Sequence, residues 1–160
     1  MALPVALQLY SVRDELEADF EGTIAKVKEF GYDGVEFAGL YGKSAEQVKK
    51  ILADAGLTPV SAHVPLDELL SDTQAVVATY KEIGCKYIAV PYLPEDRRPG
   101  TEGFDRTIED IKKIADVCNE QGIQLLYHNH DFEFKKLDGK YALDTLYSLS
   151  LIHISEPTRP

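Results

Sequence analysis

The chain has 160 residues, 44% of them hydrophobic and 28% charged. These are the values of a globular domain with a real core, which excludes disordered and fibrous classes. Its 27 acidic residues against 17 basic ones leave a net charge of −10, which weighs against nucleic acid or an anionic membrane as the main partner, because both recruit clustered Lys and Arg.

Cys85 and Cys118 form no CxxC pair and sit in apolar surroundings, so they read as buried, reduced thiols. The opening Met1-Ala2-Leu3-Pro4-Val5 lacks the basic region of a signal peptide. No apolar run approaches the roughly 18 residues of a membrane span. A soluble, cytoplasmic protein is expected.

The first predicted element is a strand over Val5–Tyr10, left through a loop at Ser11–Asp14. Helical spacing then runs from Leu16 to Phe30, with Phe20, Ile24, Val27 and Phe30 on one stripe, and Gly31 stops it. Gly34–Phe37 is the second strand. Ser44-Ala45-Glu46-Gln47 is a capping box that opens a second helix, which ends at Gly56. Thr58–Val64 is the third strand, Leu66–Ile83 the third helix with its stop at Gly84, and Cys85–Val90 the fourth strand. A polar loop over Pro91–Gly100 leads into a fourth helix over Thr101–Glu120, closed by Gly122. The fifth strand begins at Ile123. A turn at Asp138-Gly139 and a short helix from Ala142 follow it.

The strands are mostly apolar without strict alternation, which predicts a parallel sheet covered on both faces. No Gly-rich phosphate loop follows the first strand, so the dinucleotide-binding fingerprint is absent. Glu36, His63, Tyr92 and His128 each fall at the C-terminal end of a different strand. (β/α)8 TIM barrels build their sites in that way. Such a barrel needs about 250 residues, and the chain supplies about the first four and a half β/α units.

The fifth strand carries the densest chemistry: Tyr127-His128-Asn129-His130-Asp131-Phe132-Glu133. Strand alternation puts His128 and His130 on the barrel interior and Tyr127 and Asn129 toward the helix layer. Two imidazoles with carboxylates nearby suit proton transfer or a divalent metal. They equally suit hydrogen-bonded histidines at a strand mouth.

Gln8-Leu9-Tyr10-Ser11-Val12-Arg13, Gly31-Tyr32-Asp33-Gly34-Val35-Glu36, Ser61-Ala62-His63 and the Tyr127–Phe134 stretch together resemble the sugar phosphate isomerases/epimerases of the xylose-isomerase-like TIM-barrel superfamily. The resemblance covers about Val5 to Ser148. It implies a metal-dependent sugar or sugar-phosphate isomerase or epimerase working by proton transfer through an enediolate. It also implies a divalent metal ion (Mn, Mg, Co or Zn) at the barrel mouth. On this reading Glu36, His63 and His128 are the acid–base groups, and Gln8 and His130 contact the substrate. Many members have a Glu where this chain has His128, so the metal ligand here lies among His128, His130 and Glu133, with Glu133 taken as the ligand.

The alternatives are an endonuclease-like member of the superfamily and a non-catalytic half-barrel. Residues 1–148 are read as the N-terminal part of the barrel. Residues 149–160 resemble a translated sequencing adapter, a non-native tail that would leave His153 outside any site. Expected partners are a small sugar or sugar phosphate, with no nucleic acid and no membrane. Five strands leave open edges, so the chain is expected to aggregate or pair as a homo-oligomer, without isomerase activity of its own.

Overall fold

The structure, a computed structural model, describes residues 3–149. The proposed tail and His153 therefore lie outside the described residues, apart from Leu149 at the end of the last helix. The five apolar segments become five parallel strands in sequential order: β1 (Ala6–Gln8), β2 (Gly34–Ala38), β3 (Thr58–His63), β4 (Tyr87–Val90) and β5 (Gln124–Tyr127). Helices alternate with them: α1 (Arg13–Ala18) and α2 (Phe20–Glu29), α3 (Ala45–Ala55), α4 (Leu66–Ser71) and α5 (Thr73–Ile83), and α6 (Phe104–Gln121). This is the arrangement of part of a TIM barrel.

The Ser44 capping box forms as expected, with Gln47 N–H donating to the Ser44 hydroxyl and Ser44 N–H donating to the Gln47 side chain. The stops at Gly56, Gly84 and Gly122 are left-handed caps, with φ of 69°, 108° and 76°, a region glycine enters freely. Past β5, Asp138 (φ 49°) and Gly139 (φ 82°) turn a small hairpin, β6 (Lys136–Leu137) with β7 (Lys140–Tyr141), into α7 (Ala142–Leu149).

Two long helices expected from periodicity are each broken in two. Asp19 (φ −153°, ψ 92°) and Asp72 (φ −160°, ψ 84°) leave helical geometry, and each carboxylate accepts from the backbone N–H three residues on. A side chain that caps the next turn competes with continuation of the last one, and apolar periodicity cannot register that contest. The first strand is also shorter than predicted. It ends at Gln8, whose side chain accepts from Tyr10 N–H and starts a 3-10 turn over Leu9–Val12.

The sheet is sided, which corrects the expectation of burial on both faces. Val35, Phe37, Ala62, Ile88, Val90, Leu125 and Tyr127 are buried toward the helices, where they join α2, α3, α5 and α6 in one core. Their strand neighbours Gln8, Glu36, Ala38, His63, Tyr87, Gln124 and Leu126 are only half-buried on the other face. No described helix covers that inner face. In β3 a one-residue bulge shifts the pairing, so that Val35 opposes Pro59 but Glu36 opposes Ser61. Because side chains alternate, that one extra residue decides which face Ser61 and His63 occupy.

Candidate active site

Register places the polar ends of four strands beside one another. Gln8 pairs with Glu36, Glu36 with Ser61, and Ala38 with His63. His128 continues the ladder one residue past β5, with its N–H donating to Val90 O at 3.0 Å. The resulting cleft of about 680 Å³ is lined by Gln8, Glu36, His63, Tyr92, His128 and His130, with Tyr10, Ser11, Pro65 and Glu68 at its margins. The residues expected to converge from four strands therefore share one cavity.

Within it, Glu36 is held on both oxygens. Ser61 Oγ donates to Oε2 at 2.5 Å, and His63 Nε2 lies 3.2 Å from Oε1. The other nitrogen of His63, Nδ1, is 3.3 Å from Gln8 Nε2. The His63 ring packs against His128 (centroids 4.8 Å apart), and His128 against His130 at 5.1 Å. Burial pushes the His63 imidazole below its ordinary pKa. Glu36 opposes that shift, while His128 and His130 add to it. Burial thus favours the neutral ring, and its neighbours orient it.

Sequence reasoning named Glu36, His63, His128, Gln8 and His130, and all five line the cleft. It gave no role to Ser61, although strand pairing opposite Glu36 would have supplied one had the bulge been foreseen. It also passed over Glu68, whose carboxyl burial raises above the usual range. The signal was absent there, since Glu68 stands among the ordinary acids of a helix first turn.

Glu133 is brought elsewhere. It is fully buried, with Tyr127 Oη donating to Oε1 at 2.5 Å and His130 N–H donating to Oε2 at 2.7 Å. Burial and that hydrogen bond push the Tyr127 phenol upward. The carboxylate thus folds the turn after β5 back on itself, under the cleft rather than in it. Beyond the strand, alternation no longer governs. Asn129 is exposed and donates to His130 O at 3.3 Å, rather than being covered by the helix layer as expected. His130 and Phe132 stack, with planes 8° apart, and the Arg98 guanidinium sits 3.8 Å from the Phe132 ring centroid while donating to Leu93 O and to Tyr92 Oη. Arg98 thus clamps the loops that follow β4 and β5 together.

Among the described residues no three His, Cys, Asp or Glu side chains form a group able to hold a metal. Glu133, the expected ligand, lies outside the cleft lining, with Tyr127 Oη and His130 N–H as its partners. The residues present therefore do not fit a metal by themselves. No described helix is long and apolar enough to cross a membrane. Cys85 and Cys118 are free and buried, and burial pushes both thiols up to about 12.

Fold and cleft together define a β/α barrel protein whose polar groups gather at the strand ends. The family described as xylose isomerase-like TIM barrel matches residues 24–147, and the chain belongs to it. The chain is 25% identical over 134 residues to an inosose dehydratase of Geobacillus thermodenitrificans, covering 71% of this chain and 45% of that protein. A sugar phosphate isomerase/epimerase from Parabacteroides distasonis superposes with a TM-score of 0.78 at 24% identity, covering 93% of this chain and 66% of that one. An AP endonuclease, family 2, from Brucella melitensis gives 0.68 at 18% identity (92% and 65%). A xylose isomerase-like TIM barrel protein from Mycobacterium smegmatis, solved in complex with magnesium, gives 0.61 at 16% identity (80% and 55%). The three solved structures share this chain's fold, and the dehydratase, the isomerase/epimerase and the endonuclease are enzymes by name. The chain spans about half the length of the curated relative and about two thirds of the first solved structure named.

Proposed function

We propose that the whole protein is a sugar isomerase or epimerase that moves a proton at a carbon next to a carbonyl. The observation that carries this reading is the Glu36 carboxylate, held by Ser61 and His63 at the wall of a sugar-sized cleft and facing two further imidazoles. A carboxylate has about four lone-pair positions, and Ser61 and His63 take two. Glu36 keeps the capacity to remove the proton from the substrate carbon, leaving an enediolate. Transfer of the hydroxyl proton from one enediolate oxygen to the other and protonation of the former carbonyl carbon complete isomerisation, whereas protonation of the same carbon from the opposite face completes epimerisation. His63 Nε2–H steadies the carboxylate, and His128 and His130 face the cleft where the substrate oxygens would carry developing charge.

The lining includes no Lys or Arg. That favours an uncharged polyol or sugar at this part of the site over a phosphate group, and it sets the endonuclease reading second, together with the net charge of −10. Metal dependence of the whole protein would call on ligands beyond residues 3–149, and the proton transfer by Glu36 is derived without it. We place the protein in the cytoplasm on its two buried free thiols.

The dehydratase relative gives a second reading the same first step. Removal of the proton beside a carbonyl, followed by loss of hydroxide from the next carbon, is a dehydration. A panel of ketoses, aldoses and cyclic keto-polyols, with an abasic-site DNA duplex alongside, separates these classes. Interconversion of a sugar pair supports the proposal. Cleavage of the DNA with no sugar turnover overturns it.

A further inference from the structure

The backbone N–H of Tyr10 requires an acceptor, and only the oxygen of the Gln8 amide can accept; the two lie 2.6 Å apart. That contact fixes the amide's orientation, so Gln8 Nε2 is the atom that faces His63 Nδ1 at 3.3 Å. An amide nitrogen donates and does not accept. His63 Nδ1 must then be unprotonated, and the single proton of the neutral ring sits on Nε2, 3.2 Å from Glu36 Oε1.

We propose that Gln8 is a positioning residue that holds His63 as the neutral Nε2–H tautomer, in a relay running from the Leu9–Val12 turn through Gln8 and His63 to Glu36. The proposal deepens the acid–base reading of Glu36 and His63 and rests on it for its catalytic meaning. Beside a carboxylate, an imidazole tends to take a second proton. At His63 that proton would belong on Nδ1, where it would meet the Gln8 N–H donors instead of an acceptor. Gln8 therefore blocks the imidazolium from one side, while Glu36 claims Nε2–H from the other. The groups that face His63 are Gln8 from β1, Glu36 from β2, and His128 and His130 from the end of β5. Gln8 supplies the donor at Nδ1, and the two further imidazoles also disfavour a second positive charge. The 3-10 turn after β1 thereby acquires a purpose, since it is what pins the amide.

The test is 15N–1H NMR of the His63 ring in the whole protein, near neutral pH and across a titration. In the wild type, the expected spectrum shows Nε2 protonated and Nδ1 not. Gln8→Glu keeps the acceptor for Tyr10 N–H but turns the donor facing Nδ1 into a charged acceptor. It should protonate both nitrogens and raise the His63 midpoint by about 1–3 units. Gln8→Met, of similar length and with neither donor nor acceptor, should raise the midpoint by less than Gln8→Glu does. In kinetics, Gln8→Glu should lower kcat with little change in KM. A wild-type proton on Nδ1, a His63 midpoint unmoved by Gln8→Glu, or a rise in KM alone would overturn the proposal. The ring spectrum needs no substrate, so an inactive protein would sink the catalytic reading without touching the tautomer assignment.

Discussion

Replacing Glu133 by alanine tests whether that residue is a structural carboxylate. Its side chain is fully buried and accepts from Tyr127 Oη at 2.5 Å and His130 N–H at 2.7 Å. A hydrogen bond to a charged group contributes about 1.5–3 kcal/mol net. Removing both acceptors at once therefore predicts a loss of about 3–6 kcal/mol, from a whole-domain stability of about 5–15 kcal/mol. Glu133→Gln should cost roughly half as much. Its oxygen can still accept from His130 N–H, and its NH₂ can donate to the Tyr127 hydroxyl, which is able to accept, so both contacts survive without the charge that about doubles their strength. Tyr127→Phe added to Glu133→Ala should recover part of the loss, because it removes the orphaned hydroxyl. Urea denaturation of the whole protein and its variants measures all three. A Glu133→Ala variant within about 0.5 kcal/mol of wild type would refute the assignment and restore Glu133 to the list of free ligands.

Three further outcomes are expected. Asp72→Ala, and separately Asp19→Ala, should each lower stability by about 0.5–2 kcal/mol in the same denaturation assay, because each removes the only side-chain cap of its helix. His63 has a folded pKa below its ordinary 6.5, so the unfolded chain binds that proton first as pH falls. Its contribution is complete above about 6.5 and is lost as pH drops toward the folded value; His63→Asn should flatten that part of the stability–pH curve, and an unchanged curve would contradict it. The 160-residue chain by itself leaves β1 and β5 as edges of the described sheet and its inner face half-exposed, so sedimentation should show dimers or larger species; a monodisperse, cooperatively melting monomer that turns over a ketose would contradict it.

The parallel β/α order was legible because each signal was local: apolar runs, a capping box at Ser44 and glycines at 56, 84 and 122. The convergence of Gln8, Glu36, His63 and His128 was legible too, because in a parallel β/α fold the C-terminal ends of the strands share one side. The partners of those residues depended on register. Ser61 meets Glu36 only because β3 carries an extra residue at its bulge; Pro59, which lacks an N–H for the ladder of a central strand, was the one local sign of that irregularity, and it was not used. Glu133 was read as a ligand by its place after two histidines. Its burial depends on a 3-10 turn over Phe132–Phe134 that carries it back beneath Tyr127, a reversal with no apolar periodicity to mark it. The breaks at Asp19 and Asp72 were hidden for a related reason, since the apolar stripe continues across each cap.

Hydrogen exchange at the substrate carbon tests the central claim most directly. The whole protein is incubated with its ketose or aldose in D₂O, and deuterium at the carbon beside the carbonyl is followed by NMR. Proton transfer by Glu36 predicts deuterium incorporation by the wild-type protein and a fall in its rate of about 10²–10⁴-fold in Glu36→Gln. Sugar interconversion with no deuterium incorporated, or a Glu36→Gln variant that exchanges at the wild-type rate, would contradict the account.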